Sequence, residues 1–133
     1  MIRTAFITLP FLAAAGLASA EITGEYHRYS VGGVEFEGYV ARNSDLETTK
    51  GTVLIVHDWD GMTAYEERRA EMLAAAGYTA FAIDVYGADE NPQSIDENRA
   101  LSGALYQDRA LFRQRLMGPS QRPRRSPARP TTS

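Results

Sequence analysis

The sequence contains no cysteine. That excludes a thiol nucleophile, a thiolate metal site and any disulfide, so the fold has to hold itself together by its core. Histidine is nearly as scarce, with only His27 and His57. A metal site needs three or more converging ligands, and these two lie on different predicted strands. No metal and no other cofactor is expected. Positive charge is thin in the body of the chain: Glu21 to Leu116 holds 17 acidic residues against 9 basic ones. An acidic surface of this kind argues against nucleic acid as a partner.

The two ends differ from that body. Met1 to Ala20 carries one early positive charge, Arg3, then an apolar stretch from Ala5 to Leu17, then Ala18-Ser19-Ala20. This is the layout of a secretory signal peptide cleaved after Ala20. The apolar stretch falls short of the about 20 residues a membrane span needs. An uncleaved anchor is the alternative. Export places the mature chain in the periplasm or outside the cell, with no membrane contact once the signal is removed. At the other end, Met117 to Ser133 has four arginines, four prolines and no acid. This composition predicts a disordered tail with nothing to bury. The change of character is so abrupt that a frameshift or mis-called end is the first reading. A genuine basic tail that touches an acidic partner is the second.

Between the ends, the pattern is that of an α/β protein. Glu25 to Arg42 reads as an antiparallel hairpin around Gly32-Gly33, a pair favoured in two-residue turns. Val34, Phe36 and Val40 share one face, and Glu35, Glu37 and Tyr39 the other. Asn43 to Lys50 is a polar loop. Thr52 to Val56 is unbroken β-branched or aliphatic residue, which suits a strand covered on both faces, as in a parallel sheet. Thr63 opens a helix with Glu66 at capping-box spacing. Ala70, Leu73 and Ala74 form its apolar face, and Gly77 is its stop. Tyr78 to Ile83 is a second apolar strand, ended by Asp84. Ser94 and Glu97 repeat the capping-box spacing. A helical pattern then runs to Leu116, with a break at Gly103 and with Leu101, Leu105, Leu111, Phe112 and Leu116 as core positions. A right-handed crossover through the helix would set strands 52–57 and 79–84 parallel.

Chemistry is expected just past the first parallel strand, because ligands of open α/β sheets bind beyond the carboxyl ends of the strands. There His57, Asp58, Trp59 and Asp60 arrive together, followed by Gly61. Alternate side chains at a strand end point to opposite faces, so His57 and Asp58 need not meet. His57 reads as a hydrogen-bonded structural histidine under the turn, with a catalytic role as the alternative. Asp58 reads as a turn acid, and Trp59 as a pocket wall.

Four segments together carry a resemblance. They are Val53-Leu-Ile-Val-His-Asp-Trp-Asp-Gly-Met62, Arg68-Arg-Ala-Glu-Met-Leu-Ala-Ala-Ala-Gly77, Ala82-Ile-Asp-Val-Tyr-Gly87 and Ala104-Leu-Tyr-Gln-Asp-Arg109. In this order they resemble the dienelactone hydrolase family of the α/β-hydrolases, over roughly Tyr26 to Leu116. After the strand the family often reads His-Glu-Trp-Trp-Gly-Leu-Asn. Here Asp58 stands for the Glu, Asp60 for the second Trp and Thr63 for the Asn.

The resemblance implies an α/β-hydrolase sheet and hydrolysis of esters or lactones by a nucleophile, an acid and a histidine. It implies two roles for residues present in this sequence. The acid at Asp58 would contact the nucleophile in the resting enzyme, and the Trp59 N–H would supply one oxyanion-hole donor. Asp84 and Tyr86 match a strand-end turn and receive no catalytic role. The nucleophile normally sits in a Gly-x-Cys-x-Gly or Gly-x-Ser-x-Gly elbow. No two glycines of this sequence stand four residues apart, and Ser120 in Gly118-Pro-Ser-Gln cannot replace that elbow. The expectation is therefore the N-terminal part of an α/β-hydrolase sheet, a hairpin plus parallel strands with a crossover helix, truncated before the nucleophile elbow. Its complete relatives would act on a small-molecule ester or lactone, and this chain would be inactive. A non-catalytic exported binding module is the alternative. In the family's sheet order strand 52–57 lies beside the nucleophile strand, so its open edge is expected to promote self-association.

Overall fold

The computed structural model describes residues 20–120. The signal peptide expected over 1–20 and the tail expected from 117 onward lie outside the described residues, apart from Ala20 and Met117 to Ser120.

The long hairpin forms first along the chain. Strand β1 (Ile22–Val31) and strand β2 (Val34–Asn43) pair antiparallel from Ile22 opposite Asn43 to Val31 opposite Val34. The turn is Gly32-Gly33, with φ of 61° and 83°. Two successive positive φ values match the right-handed twist of the strands and are costly for any residue but glycine. Strand β3 (Thr52–Val56), helix α1 (Ala64–Ala75) and strand β4 (Thr79–Ile83) follow. β3 and β4 are parallel, and β4 pairs antiparallel with β2. The sheet order is β1-β2-β4-β3, which is the hairpin plus parallel unit read from the sequence.

Helix α1 is specified at both ends. The Thr63 side chain accepts the Tyr65 N–H, and Glu66 reaches back to the Thr63 N–H at 2.9 Å. Beyond the last turn, Gly77 adopts φ 95° and donates to the Ala74 carbonyl, while Tyr78 donates to Leu73. That pair of bonds satisfies carbonyls a helix end leaves open. Ala70 and Ala74 then lie against Tyr39, Ala41, Ala80 and Ala82. Alanine on alanine lets helix and sheet approach closely. Tyr39 shows that the face of β2 opposite Phe36 is not a solvent face: its ring is buried and its hydroxyl donates to Glu71 at 2.9 Å.

The other face is covered by helices α2 (Ile95–Gln107) and α3 (Arg109–Met117). Leu101, Leu105, Leu111, Phe112 and Leu116 pack with Ile83, Val85 and Tyr86, as their spacing predicts. The break between the helices falls at Asp108, not at Gly103, which lies inside α2. Asp108 ends one helix and caps the next by accepting the Leu111 N–H at 2.9 Å. A side-chain acceptor at a helix start outweighs the mild helix cost of one glycine. Ordered contacts also continue past the expected boundary at Leu116. Met117 belongs to α3, and Gly118–Ser120 make a 3₁₀ turn. Gly118 sits so close to Val31 that a Cβ there would lie 2.3 Å from its Cγ2.

The cover on this side is incomplete among the described residues. β3 pairs only with β4, and Leu54 and Val56 are 38% and 43% exposed. The double cover that the run Thr52–Val56 predicts is therefore not met there, while the expected open edge is present.

Candidate active site

Parallel pairing of β3 and β4 brings their carboxyl ends, and the turns that follow, to one end of the sheet. The two turns are fastened to each other by His57. Its ring is buried. Nε2 accepts the Val85 N–H at 3.1 Å, so the proton sits on Nδ1, which donates to the Asp58 carbonyl at 2.6 Å. Both ring nitrogens are thus engaged. Tyr86 packs edge-on against the imidazole, with ring centroids 4.6 Å apart. This is the structural histidine of the first reading, and it leaves no free nitrogen for proton transfer in this conformation.

Asp84 shapes the second turn. Its carboxylate accepts the N–H groups of Tyr86 at 2.7 Å and Gly87 at 3.0 Å. Its backbone carbonyl accepts the Tyr29 hydroxyl at 2.7 Å, tying β1 to the same end. Tyr86 then reaches across and donates its hydroxyl to the Trp59 carbonyl at 2.9 Å. Burial pushes that phenol above its ordinary range, which keeps it protonated and able to donate. Arg115 of α3 donates to the carbonyls of Val85 and Tyr86 at 2.7 and 2.8 Å.

Asp58 and Trp59 stand at the surface of this frame. The Asp58 carboxylate accepts the Asp60 N–H at 3.2 Å. Hydrogen bonding from the Asp60 carboxyl and N–H pulls the Asp58 carboxyl below its ordinary range and pushes Asp60 up. Trp59 is 44% exposed. A cleft of about 350 Å³ opens beside them, walled by Asp58, Trp59, Tyr86, Tyr106 and Phe112. Trp59 is a pocket wall, as read. Asp58 and His57 both border the cleft, but only Asp58 offers it a free charged group. Among the described residues no group of three His, Asp or Glu is placed to hold a metal.

Sequence reading missed Tyr86, Tyr106 and Ser102 as cleft residues. For Tyr86 the signal was present. Two parallel strands end at one edge, so the residues just past each strand, such as Trp59 and Tyr86, belong together. Tyr106 and Ser102 lie on α2, and nothing local to that helix shows where it docks.

A crossover pair of parallel strands behind an antiparallel hairpin, with a cleft at the strand ends, defines the amino-terminal portion of an α/β-hydrolase fold. The profile of the dienelactone hydrolase family matches residues 36–117, well over half of the sequence, and the chain belongs to that family. Among solved structures it is similar to the protein named m3DLH, with a TM-score of 0.67 and 24% identity over 81% of this chain and 47% of the other. A dienelactone hydrolase-like promiscuous phosphotriesterase from metagenomic libraries gives a TM-score of 0.66 and 23% identity, over 71% of this chain and 39% of that one. A dienelactone hydrolase from Anabaena variabilis gives 0.51 and 21%, over 73% and 42%. The chain thus spans less than half the length of these structures. No curated protein matches it.

Proposed function

We propose that the chain forms the first half of an α/β-hydrolase domain for small esters or lactones. In this reading it supplies one wall of the acyl cleft, an acid at Asp58 and an oxyanion-hole donor at the Trp59 N–H, and it does not turn over by itself. The observation that carries the reading is the pair of turns at 57–60 and 84–87. They border one cleft at the carboxyl ends of parallel strands, with Asp58 and Trp59 on its rim. The inactivity rests on the sequence, which offers no Gly-x-Cys-x-Gly or Gly-x-Ser-x-Gly elbow. Without a nucleophile, a backbone donor and an acid leave orders of magnitude of rate unsupplied. The same reading makes the chain an exported one, with residues 1–20 removed.

The test is hydrolysis of p-nitrophenyl acetate and of a small lactone by the purified chain. The expected rate equals that of buffer. Turnover that disappears in Asp58→Ala would overturn the reading and point to a site of another kind. A non-catalytic exported binding module is the second reading, favoured by the aromatic lining Trp59, Tyr86, Tyr106 and Phe112 of the cleft. A monodisperse monomer with a sharp thermal transition and no turnover supports it.

A further inference from the structure

His57 is a buried titratable ring that the proposed cleft chemistry does not use. Its side chain is 1% exposed and lies between the two turns at the carboxyl ends of β3 and β4. A backbone N–H can only donate, so the Nε2 that the Val85 N–H reaches at 3.1 Å carries a lone pair. A carboxylate oxygen stands beside the same nitrogen. Asp84 Oδ1 lies 3.5 Å from Nε2, longer than an ordinary hydrogen bond, and accepts the Tyr86 N–H at 2.7 Å. Nε2 therefore has two neighbours of opposite chemistry. The Val85 N–H needs the neutral ring, and Asp84 is suited to the protonated one.

The other ionisable groups around the ring leave the exchange to these two. Asp58 touches the ring through its carbonyl, which accepts from Nδ1 at 2.6 Å and keeps that bond in either state. A charge on His57 pulls the Asp58 carboxyl down, so the two favour each other. Tyr86 meets the imidazole through its ring, with centroids 4.6 Å apart. From β1, the Tyr29 hydroxyl is taken by the Asp84 carbonyl. From α3, Arg115 is taken by the carbonyls of Val85 and Tyr86. From α2, Tyr106 shares the cleft lining with His57.

We infer that His57 is a proton-operated latch between the two turns. In the neutral state it holds the second turn by accepting the Val85 N–H. On taking a proton from solvent at Nε2, it releases Val85 and donates to Asp84 Oδ1 instead. Closing the 3.5 Å gap draws that carboxylate oxygen away from the Tyr86 N–H. The Tyr86 hydroxyl holds the Trp59 carbonyl at 2.9 Å, so the exchange reaches the rim of the cleft. The inference stands on the ring and its partners and is independent of what the cleft binds.

Trp59 is the only tryptophan of the sequence, so intrinsic fluorescence reports on the rim. The experiment titrates the full chain between about pH 8 and 5, the range in which imidazoles change charge. Trp59 emission should change reversibly in one single-proton step. His57→Gln keeps an acceptor for Val85 and a donor for Asp58 but takes no proton, and it should abolish the step. His27→Gln removes the other histidine and should leave it. Asp60 is pushed up by Asp58, so Asp60→Asn is the control for a carboxyl beside Trp59 and should also leave the step. Asp84→Asn removes the charge that receives the imidazolium and should move the step about one pH unit towards acid. In the wild-type chain, nitrogen-15 NMR should show the His57 ring and the Val85 amide moving with one midpoint. Emission that is flat across the range, or a step that survives His57→Gln, would overturn the latch. So would a Val85 amide that stays in place while the ring takes up its proton. Far-ultraviolet circular dichroism lost in the same step would overturn it too, because the proton would then unfold the chain instead of exchanging a bond.

Discussion

The two faces of the sheet are closed to different degrees. Under α1, Ala41, Ala80 and Ala82 of the sheet meet Ala70 and Ala74 of the helix, and all five are fully buried. On the opposite face α2 and α3 pack on Phe81 and Ile83, but Leu54 and Val56 stay exposed. The difference follows from chain order. α1 joins β3 to β4, so a short crossover returns it onto both strands. α2 and α3 follow β4, the last strand among the described residues, and pack on Phe81, Ile83 and the turn beyond them. A buried run of residues in a sequence therefore states what a strand can bury, and the neighbours decide whether it does.

Replacing an alanine under α1 breaks this comparison most sharply. Ala74→Asp puts an unpaired carboxylate between helix and sheet and should cost about 3 kcal/mol or more, abolishing the thermal transition. The same change at Leu54, on the open side, should shift stability by about 0.5 kcal/mol or less. Comparable losses at the two sites would show that the open face of β3 is as well covered as the face under α1.

Alkali tests the α1 face by a second route. The Tyr39 phenol is pushed up from 10.0 to about 12, first by burial and then by its bond to Glu71. A raised folded value means the protonated phenol is the form the fold favours. Its contribution is fully present below pH 10.0 and is lost as pH rises through about 12. Thermal stability of the wild type should fall across that window, and Tyr39→Phe should flatten the fall. A slope that is unchanged in Tyr39→Phe would remove Tyr39 as its source.

Caps give a smaller contrast. Thr63 makes a full capping box, so Thr63→Ala should cost about 1 kcal/mol. At α2 the Ser94 side chain accepts the Glu97 N–H at 3.3 Å, while Glu97 turns to the Gln93 N–H instead. Ser94→Ala should cost less than Thr63→Ala in chemical denaturation. Equal costs would mean that the helix ends, unlike the faces, are equivalent.

The smallest effect on stability is expected at the sheet edge, where association is the readout. An apolar edge with open backbone groups invites pairing with other chains. Leu54→Lys should shift sedimentation towards the monomer while stability moves by about 0.5 kcal/mol or less. Association unchanged by that charge would place the contact elsewhere.

Much of this was written locally. Gly32-Gly33, the Thr63 and Glu66 pair, and Gly77 fix a turn and both ends of a helix through bonds that span a few residues. The alternation in β2 and the apolar runs of β3 and β4 set strand type and pairing. The break at Asp108 was harder to see, because Asp108 both ends α2 and caps α3 while α2 tolerates Gly103 in its interior. His57 was legible as a structural residue. What it fastens was not, since Val85 lies 28 residues away.

The sequence by itself determined the element order, the α/β class and the position of the turn that carries Asp58 and Trp59, because each depends on backbone preferences and short-range hydrogen bonds. Only the tertiary structure decided that Tyr86 holds the Trp59 carbonyl and that Tyr106 and Phe112 line the cleft. These depend on where parallel strands and late helices meet in space, and the free energy of such contacts belongs to pairs of residues far apart in the chain.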